Sequence, residues 1–177
     1  VALAQAWRMS GDRRALQEIV RQLESWIDAN PFQRGMNWAS ALEVAFRALS
    51  WIWIWRLTEG AMHSEFLRVW ARSLAAHGEH LERNLSVYFS PNTHLLGEAV
   101  ALHALGVCFP SWPRAAGWRE KGRRTVLEEI RRQVREDGSH FEQSSYYHVY
   151  ALDFFLFHRI LEPAGEEYDA RLIRMAE

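Results

Sequence analysis

Apolar residues recur at helical spacing along almost the whole chain and nowhere alternate long enough to build a strand. No other feature constrains the fold as much. Asp12 can cap a helix whose positions Leu16, Ile19, Val20, Leu23, Trp26 and Ile27 form a clean stripe, and Asn30-Pro31 ends it. A second helix is predicted from about Asn37 to Leu57, apolar nearly all round and therefore central. A third opens at Ser64-Glu65 and carries Phe66, Leu67, Trp70 and Leu74 toward Leu85. The stretch Ser86 to Thr93, with its Ser-Pro-Asn, reads as a loop. A fourth helix runs from near His94 to about Val107. A fifth starts at Pro113, has Leu127, Ile130 and Val134 on its inner face and stops at Asp137-Gly138. A sixth spans Ser144 or Ser145 to Leu161, and a seventh begins after Gly165.

The expected fold class is all-α, with six or seven helices joined by short connections and packed as antiparallel pairs. Such pairs can assemble as a bundle, an open solenoid or a toroid, and periodicity alone does not choose. No sequence repeat supports a tetratricopeptide-type array. Residues 1–177 read as a single helical domain, long enough to bury a sizeable core. Val1 to Trp7 has neither an initiator Met nor a basic leader, and Arg171 to Glu177 stops inside a helical pattern, so both ends are read as cut.

A formal net charge of −1 supplies no global field toward nucleic acid or an anionic membrane, so any polyanion must be held by a local cluster. The apolar run Ala48 to Trp55, between Arg47 and Arg56, is too short to span a bilayer. Nine Trp, nine Phe and five Tyr are the unusual part of the composition. Most should be core, but Trp51, Trp53 and Trp55 cannot all face one side of a helix. At least one is expected to point away from the main core. Arg123-Arg124 and Arg131-Arg132 read as a solvated helix face.

Two segments concentrate the chemistry. In Ser90-Pro91-Asn92-Thr93-His94-Leu95-Leu96-Gly97-Glu98 a loop enters a helix start, where free backbone N–H groups attract anions. Asn92 offers an amide, and His94 and Glu98 stand one turn apart. The plain alternative is that Asn92 caps the helix and His94 pairs with Glu98. Asp137 to Tyr150 packs His140, Glu142, Gln143, Tyr146, Tyr147, His148 and Tyr150 into one turn and the helix start that follows. No familiar ligand spacing joins His140, Glu142 and His148, so no metal and no cofactor are expected.

Asn37-Trp38 leading into Glu43 to Trp51, then Asn92 to Ala99, then Asp137-Gly138 through Glu142-Gln143-Ser144 to Tyr147-His148, resemble three successive motifs of the heparinase II/III-like polysaccharide lyases. They occur in the family's order and span Asn37 to Tyr150. The resemblance implies part of an incomplete α/α toroid built from antiparallel helix pairs, with the family's C-terminal β-sandwich region absent. It implies β-elimination on a uronic-acid-containing polysaccharide, and a periplasmic or secreted location. Heparan sulfate, alginate and bacterial exopolysaccharides all fit the motifs. Tyr147 is implied as the proton donor, with Tyr146 as the neighbouring choice, and Asn92 and His94 beside the uronate carboxylate or C5. An ordinary tyrosine pKa near ~10 suits an acid. Glu98, Tyr146, His148, Glu43 and Arg47 are expected to bind substrate, though Glu43 and Arg47, an i, i+4 pair, serve equally well as a buried ion pair. Several members have Asn directly before the motif His, where this chain has Thr93.

The expected partner is therefore an acidic polysaccharide, with no nucleic acid and no membrane. The chain by itself should be poorly active, because elimination depends on a cleft closed against water. Two other classes are compatible with the sequence. An α/α-toroid glycoside hydrolase would need two carboxylates across the scissile bond, with Glu98, Glu142 and Asp153 as candidates. A non-catalytic helical carbohydrate-binding or scaffold domain would tolerate loss of Tyr147 and His94.

Overall fold

Three helix starts are fixed by side chains that accept from backbone N–H groups lacking an intrahelical partner. Asp12 accepts from Arg14 N, Ser40 from Glu43 N and Asn92 from His94 N. The computed structural model describes residues 1–88 and 91–177, and all secondary structure below refers to these. Phe89 and Ser90, inside the expected Ser86 to Thr93 loop, lie outside the described residues. Eight α-helices form: α1 Ala2–Ser10, α2 Arg13–Ala29, α3 Ala41–Leu57, α4 Ser64–Arg83, α5 Thr93–Cys108, α6 Ala115–Gln133, α7 Ser145–Leu161 and α8 Glu166–Ala176. No strand is present among the described residues.

The helices make four antiparallel hairpins. In α3–α4, Arg47 meets His77 and Trp51 meets Trp70. In α7–α8, Phe155 and His158 meet Tyr168 while His148 meets Met175. The first helices of successive hairpins run parallel. Along α3 and α7, Phe46 packs on Tyr150 and Phe154, and Trp53 on Phe157. Along α3 and α5, Trp55 packs on Phe109, just past the end of α5. The result is an inner layer of parallel helices backed by an outer layer running the other way. That is the arc of an α/α toroid, the arrangement implied by the family resemblance, while the all-α class and antiparallel pairing agree with the helical periodicity.

α5 lies in the middle of the inner layer, and every residue from Thr93 to Gly106 except His94 is buried. Such burial needs close backbone approach on several sides. A Cβ at Gly122 of α6 would sit 2.5 Å from His103 N and 2.6 Å from Ala99 O. A Cβ at Gly97 would meet the Phe154 ring and the end of Leu42, so α7 and α3 close over α5 at that point.

Three expectations are revised. The helix count rises to eight because α1, with Ala4 as its only buried residue, is too short for its periodicity to register. Asn37 and Trp38 belong to a separate 3-10 turn, Met36–Trp38, and α3 starts afresh after Ser40. The helix from Pro113 begins at Ala115 and ends at Gln133 rather than reaching Asp137, because Val134 leaves it to pair with His140 in an isolated antiparallel bridge. The tryptophans divide as expected: Trp51 is buried, Trp55 is half-buried and Trp53 is 45% exposed. Trp53 lines a 510 Å³ recess at the C-terminal ends of α3, α5 and α7, shared with Arg56, Cys108 and Phe157.

Candidate active site

The N-terminal ends of α3, α5 and α7 lie at the opposite end from that recess. Parallel helices place their unbonded N–H groups and positive dipole ends together, so this end of the layer favours anions before any side chain is counted.

The two polar segments of the sequence meet here. Thr93, fully buried, donates from its backbone N (3.3 Å) and its hydroxyl (3.2 Å) to one oxygen, Oε1, of Glu142. The amide of Gln133 donates to the carbonyl of Asn92 (3.1 Å) and to Glu129 (2.6 Å). With its nitrogen so engaged, Gln133 presents Oε1 to Nε2 of His140 at 3.0 Å. The Glu142 N–H faces Nδ1 of His140, so this imidazole is neutral and carries its proton on Nε2. Burial holds His140 below the usual histidine range, and His148 pushes the same way, while Glu142 opposes them. His148 uses both nitrogens in turn: Nδ1 accepts from His140 N, and Nε2 donates to the carbonyl of Met175 at 2.7 Å. Gln143 stands just before α7 with φ of 55°, a left-handed conformation uncommon for a residue other than glycine.

In front of this network stand the groups implied as catalytic. Asn92 caps α5 through Oδ1, bonded to His94 N at 2.9 Å. The cap fixes the amide's orientation and leaves the Nδ2 donors without a protein acceptor among the described residues. The His94 side chain is exposed and makes no hydrogen bond among them. Tyr147 is 39% exposed and Tyr146 73%. Tyr146 stacks on Tyr150 at 6.2 Å, and Tyr147 meets both edge-on. Phe46 of α3 closes the patch against Tyr150. Burial, with the charges of Tyr146 and Tyr147, pushes the Tyr150 hydroxyl up to about 12, so it stays protonated.

Other candidate residues sit elsewhere or do other things. Glu98 is 1% exposed, and its two oxygens accept from the backbone N and the hydroxyl of Ser86, both at 2.7 Å. It ties the chain after α4 to α5 and is not bonded to His94; burial raises its pKa. Arg47 turns inward and forms no ion pair with Glu43 among the described residues, though the Glu43 charge partly offsets its burial. Its Nε donates to His77 (2.8 Å), Nη2 donates to the carbonyl of Asn37 (2.9 Å), and the guanidinium lies 4.3 Å from the Trp26 ring centre. Burial lowers Arg47 to about 10 and His77 to about 3. Glu43 is exposed in the first turn of α3, where its charge suits the helix dipole. The arginine pairs are held by carboxylates where they pair at all: Arg123 with Glu162, Arg131 with Glu167 and Arg132 with Glu129.

Sequence reading passed over Gln133 and Glu129. The available signal was two polar residues, one turn apart, lodged among Val126 and Ile130 on the inner face of α6 and Val134 just past its end.

Comparison with known proteins gives a consistent result. The family described as Heparinase II/III N-terminus matches residues 1–167. A heparin-sulfate lyase of Pedobacter heparinus is 31% identical over 162 residues, covering 88% of this chain and 24% of its own. One of Bacteroides stercoris is 29% identical over 175 residues, covering 86% and 26%. Among solved structures, a heparinase III superposes with a TM-score of 0.85 at 25% identity, over 98% of this chain and 28% of its own. The heparan sulfate lyase HepC of Pedobacter heparinus gives 0.77 at 30% identity, over 99% and 29%. The chain spans about a quarter of the length of the curated relatives it matches.

Proposed function

The chain belongs to the heparinase II/III N-terminus family, and we propose that it is the helical part of a lyase cleaving an acidic, uronate-containing polysaccharide of the heparan sulfate class by β-elimination. The observation that carries the reading is the Asn92 cap. Spending Oδ1 on the helix leaves two amide donors without an acceptor among the described residues, at the electropositive end of the inner layer and two residues from the exposed imidazole of His94.

A uronate C5 proton is weakly acidic while its carboxylate is charged. Donors on that carboxylate stabilise the negative charge that develops as the proton leaves, and preorganised donors cost no rearrangement at that moment. We assign this role to the Asn92 amide with His94, assisted by the dipole of α5. The C5 proton passes to a base, for which His94 and the Tyr147 oxygen are the available groups. Its electron pair forms the C4–C5 double bond, the C4–O4 bond breaks, and O4 takes a proton from the Tyr147 hydroxyl. Tyr146, Tyr150 and Phe46 supply flat apolar surface on which a sugar ring can stack.

The hydrolase reading finds less support. Of its candidate carboxylates, Glu98 is buried on Ser86 and Glu142 accepts from Thr93. That leaves Asp153 alone on the exposed side of α7.

The test is Tyr147→Phe in the full-length protein, with Tyr146→Phe in parallel and absorbance of the unsaturated uronate as readout. Removing one half-exposed hydroxyl should cost at most about 1 kcal/mol of stability. Turnover should fall on the order of 100-fold or more. Loss at Tyr146 alone moves the acid by one residue. Full activity in both variants and in the double variant removes tyrosine from the chemistry.

A further inference from the structure

Gln133 lies behind the reacting groups and contacts none of them from the front. It is the last residue of α6, in the outer layer, and is completely buried. Its side chain spends both donors and one acceptor on three different parts of the site. One N–H goes to the Asn92 carbonyl, one to Glu129, and Oε1 accepts from His140. Its backbone carbonyl accepts from Phe141 N at 2.8 Å. The residue that carries the amide donors and the turn that leads into the Tyr147 helix are thus referenced to one amide group.

We infer that Gln133 is a positioning residue for the elimination, setting where Asn92 stands relative to Tyr147. This rests on the lyase reading above. The amide is chemically specific here. A carboxylate at 133 would still accept from His140 but would face both the Glu129 carboxylate and the Asn92 carbonyl without a proton to offer. An apolar isostere would leave His140 Nε2 without its acceptor, Asn92 O with only Leu96 N, and Glu129 with only Arg132. A residue needed only for folding would act through stability; a positioning residue acts on turnover after stability has been restored. Displacing reacting groups by about 1 Å is sufficient for a loss on the order of 100-fold.

The experiment compares three forms of the full-length protein on heparan sulfate: the parent, Gln133→Met, and the exchange Gln133→Glu with Glu129→Gln. The exchange rebuilds the amide–carboxylate bond within α6 and the acceptor for His140, but not the donor to Asn92. Its melting temperature should return close to the parent's, while kcat stays down roughly 10-fold or more with KM within about 3-fold. Return of kcat together with stability would overturn the proposal. Hydrogen exchange supplies a readout independent of activity. In Gln133→Met the His94 amide and the amides from Phe141 to Tyr147 should lose protection together, with α2 unchanged. Unchanged protection at both segments would overturn the inference even in a protein that forms no unsaturated product, and absence of that product in the parent is what would overturn the lyase reading.

Discussion

The bond between Thr93 and Glu142 joins the two halves of the site, and its strength can be worked out and measured. Thr93→Val keeps the β-branch, and the helix start retains its N–H to Glu142, so only the hydroxyl is lost. A buried hydrogen bond to a charged acceptor contributes about 1.5–3 kcal/mol. At 3.2 Å the bond is longer than the usual distance for O–H donors, which points to the lower end, about 1.5 kcal/mol. Placing a methyl against a half-buried carboxylate cannot reduce that cost. For a chain of this size each kcal/mol moves the melting temperature by roughly 2–4 °C, so a fall of about 3–6 °C is expected. Glu142→Gln weakens the same bond from the other side. In a double-mutant cycle the pair should therefore couple by about 0.5–1.5 kcal/mol, measured by urea unfolding of the four proteins. Additivity within about 0.3 kcal/mol would show that the two segments are held together by something else, and the network described above would lose its main joint.

Two glycines of α6 should respond oppositely to the same change. Gly122→Ala forces a Cβ onto the backbone of α5 and should destabilise by about 1–3 kcal/mol, whereas Gly117→Ala has nothing within 4 Å and should stabilise by about 0.5–1 kcal/mol; thermal melts of the two variants check both signs. Acid should weaken the fold through His158, fully buried beside His103 and Tyr168 and lowered to about 3 by burial, with the charges of His103 and Arg123 adding to the shift and Glu162 opposing it. Because the folded pKa is depressed, the unfolded chain binds the extra proton first, so stability is complete above about pH 6.5 and falls as pH drops toward 3, with a slope approaching about 1.4 kcal/mol per unit. The difference between parent and His158→Phe across that range isolates the term, and parallel curves would refute it.

Helices α2 to α8 were legible because each either buries a stripe at helical spacing or, like α3 and α5, is apolar nearly all round, between recognisable stops. The misplaced boundaries come from interactions between distant residues or from a cap passed over. Ser40-Ala41-Leu42-Glu43 is a capping box in plain view, and Ser40 does accept from Glu43 N. The apolar residues around it hid the break that separates Trp38 from α3. The end of α6 could not be read locally, since Val134 leaves the helix to pair with His140, beyond the next turn. Arg47 shows the same limit in the site. Spacing offered Glu43 as its partner, but His77, thirty residues on, accepts from Arg47 instead, and Trp26 and Trp38 lie beside the guanidinium.

Residue type did not separate the groups we propose as reacting from those that support them, because the same types serve both purposes. His94, His140 and His148 are alike in sequence; hydrogen-bond capacity divides them. His140 and His148 each have one nitrogen donating and the other accepting within the protein, so neither can meet a substrate without breaking a bond already made. Glu98, Glu142 and Gln133 are committed in the same way. Among the described residues His94, the Nδ2 of Asn92 and the hydroxyl of Tyr147 keep their capacity; His94 and Tyr147 are exposed and Asn92 half-buried, at the end of the layer where three helix dipoles converge. A buried polar group must be satisfied by the fold, whereas a group intended for substrate must be left over once the fold is complete. Thr93 illustrates the division. It occupies the place where several family members carry Asn, but its hydroxyl is bonded to Glu142, so the amide we propose for substrate is that of Asn92, one residue earlier, whose Oδ1 caps the helix.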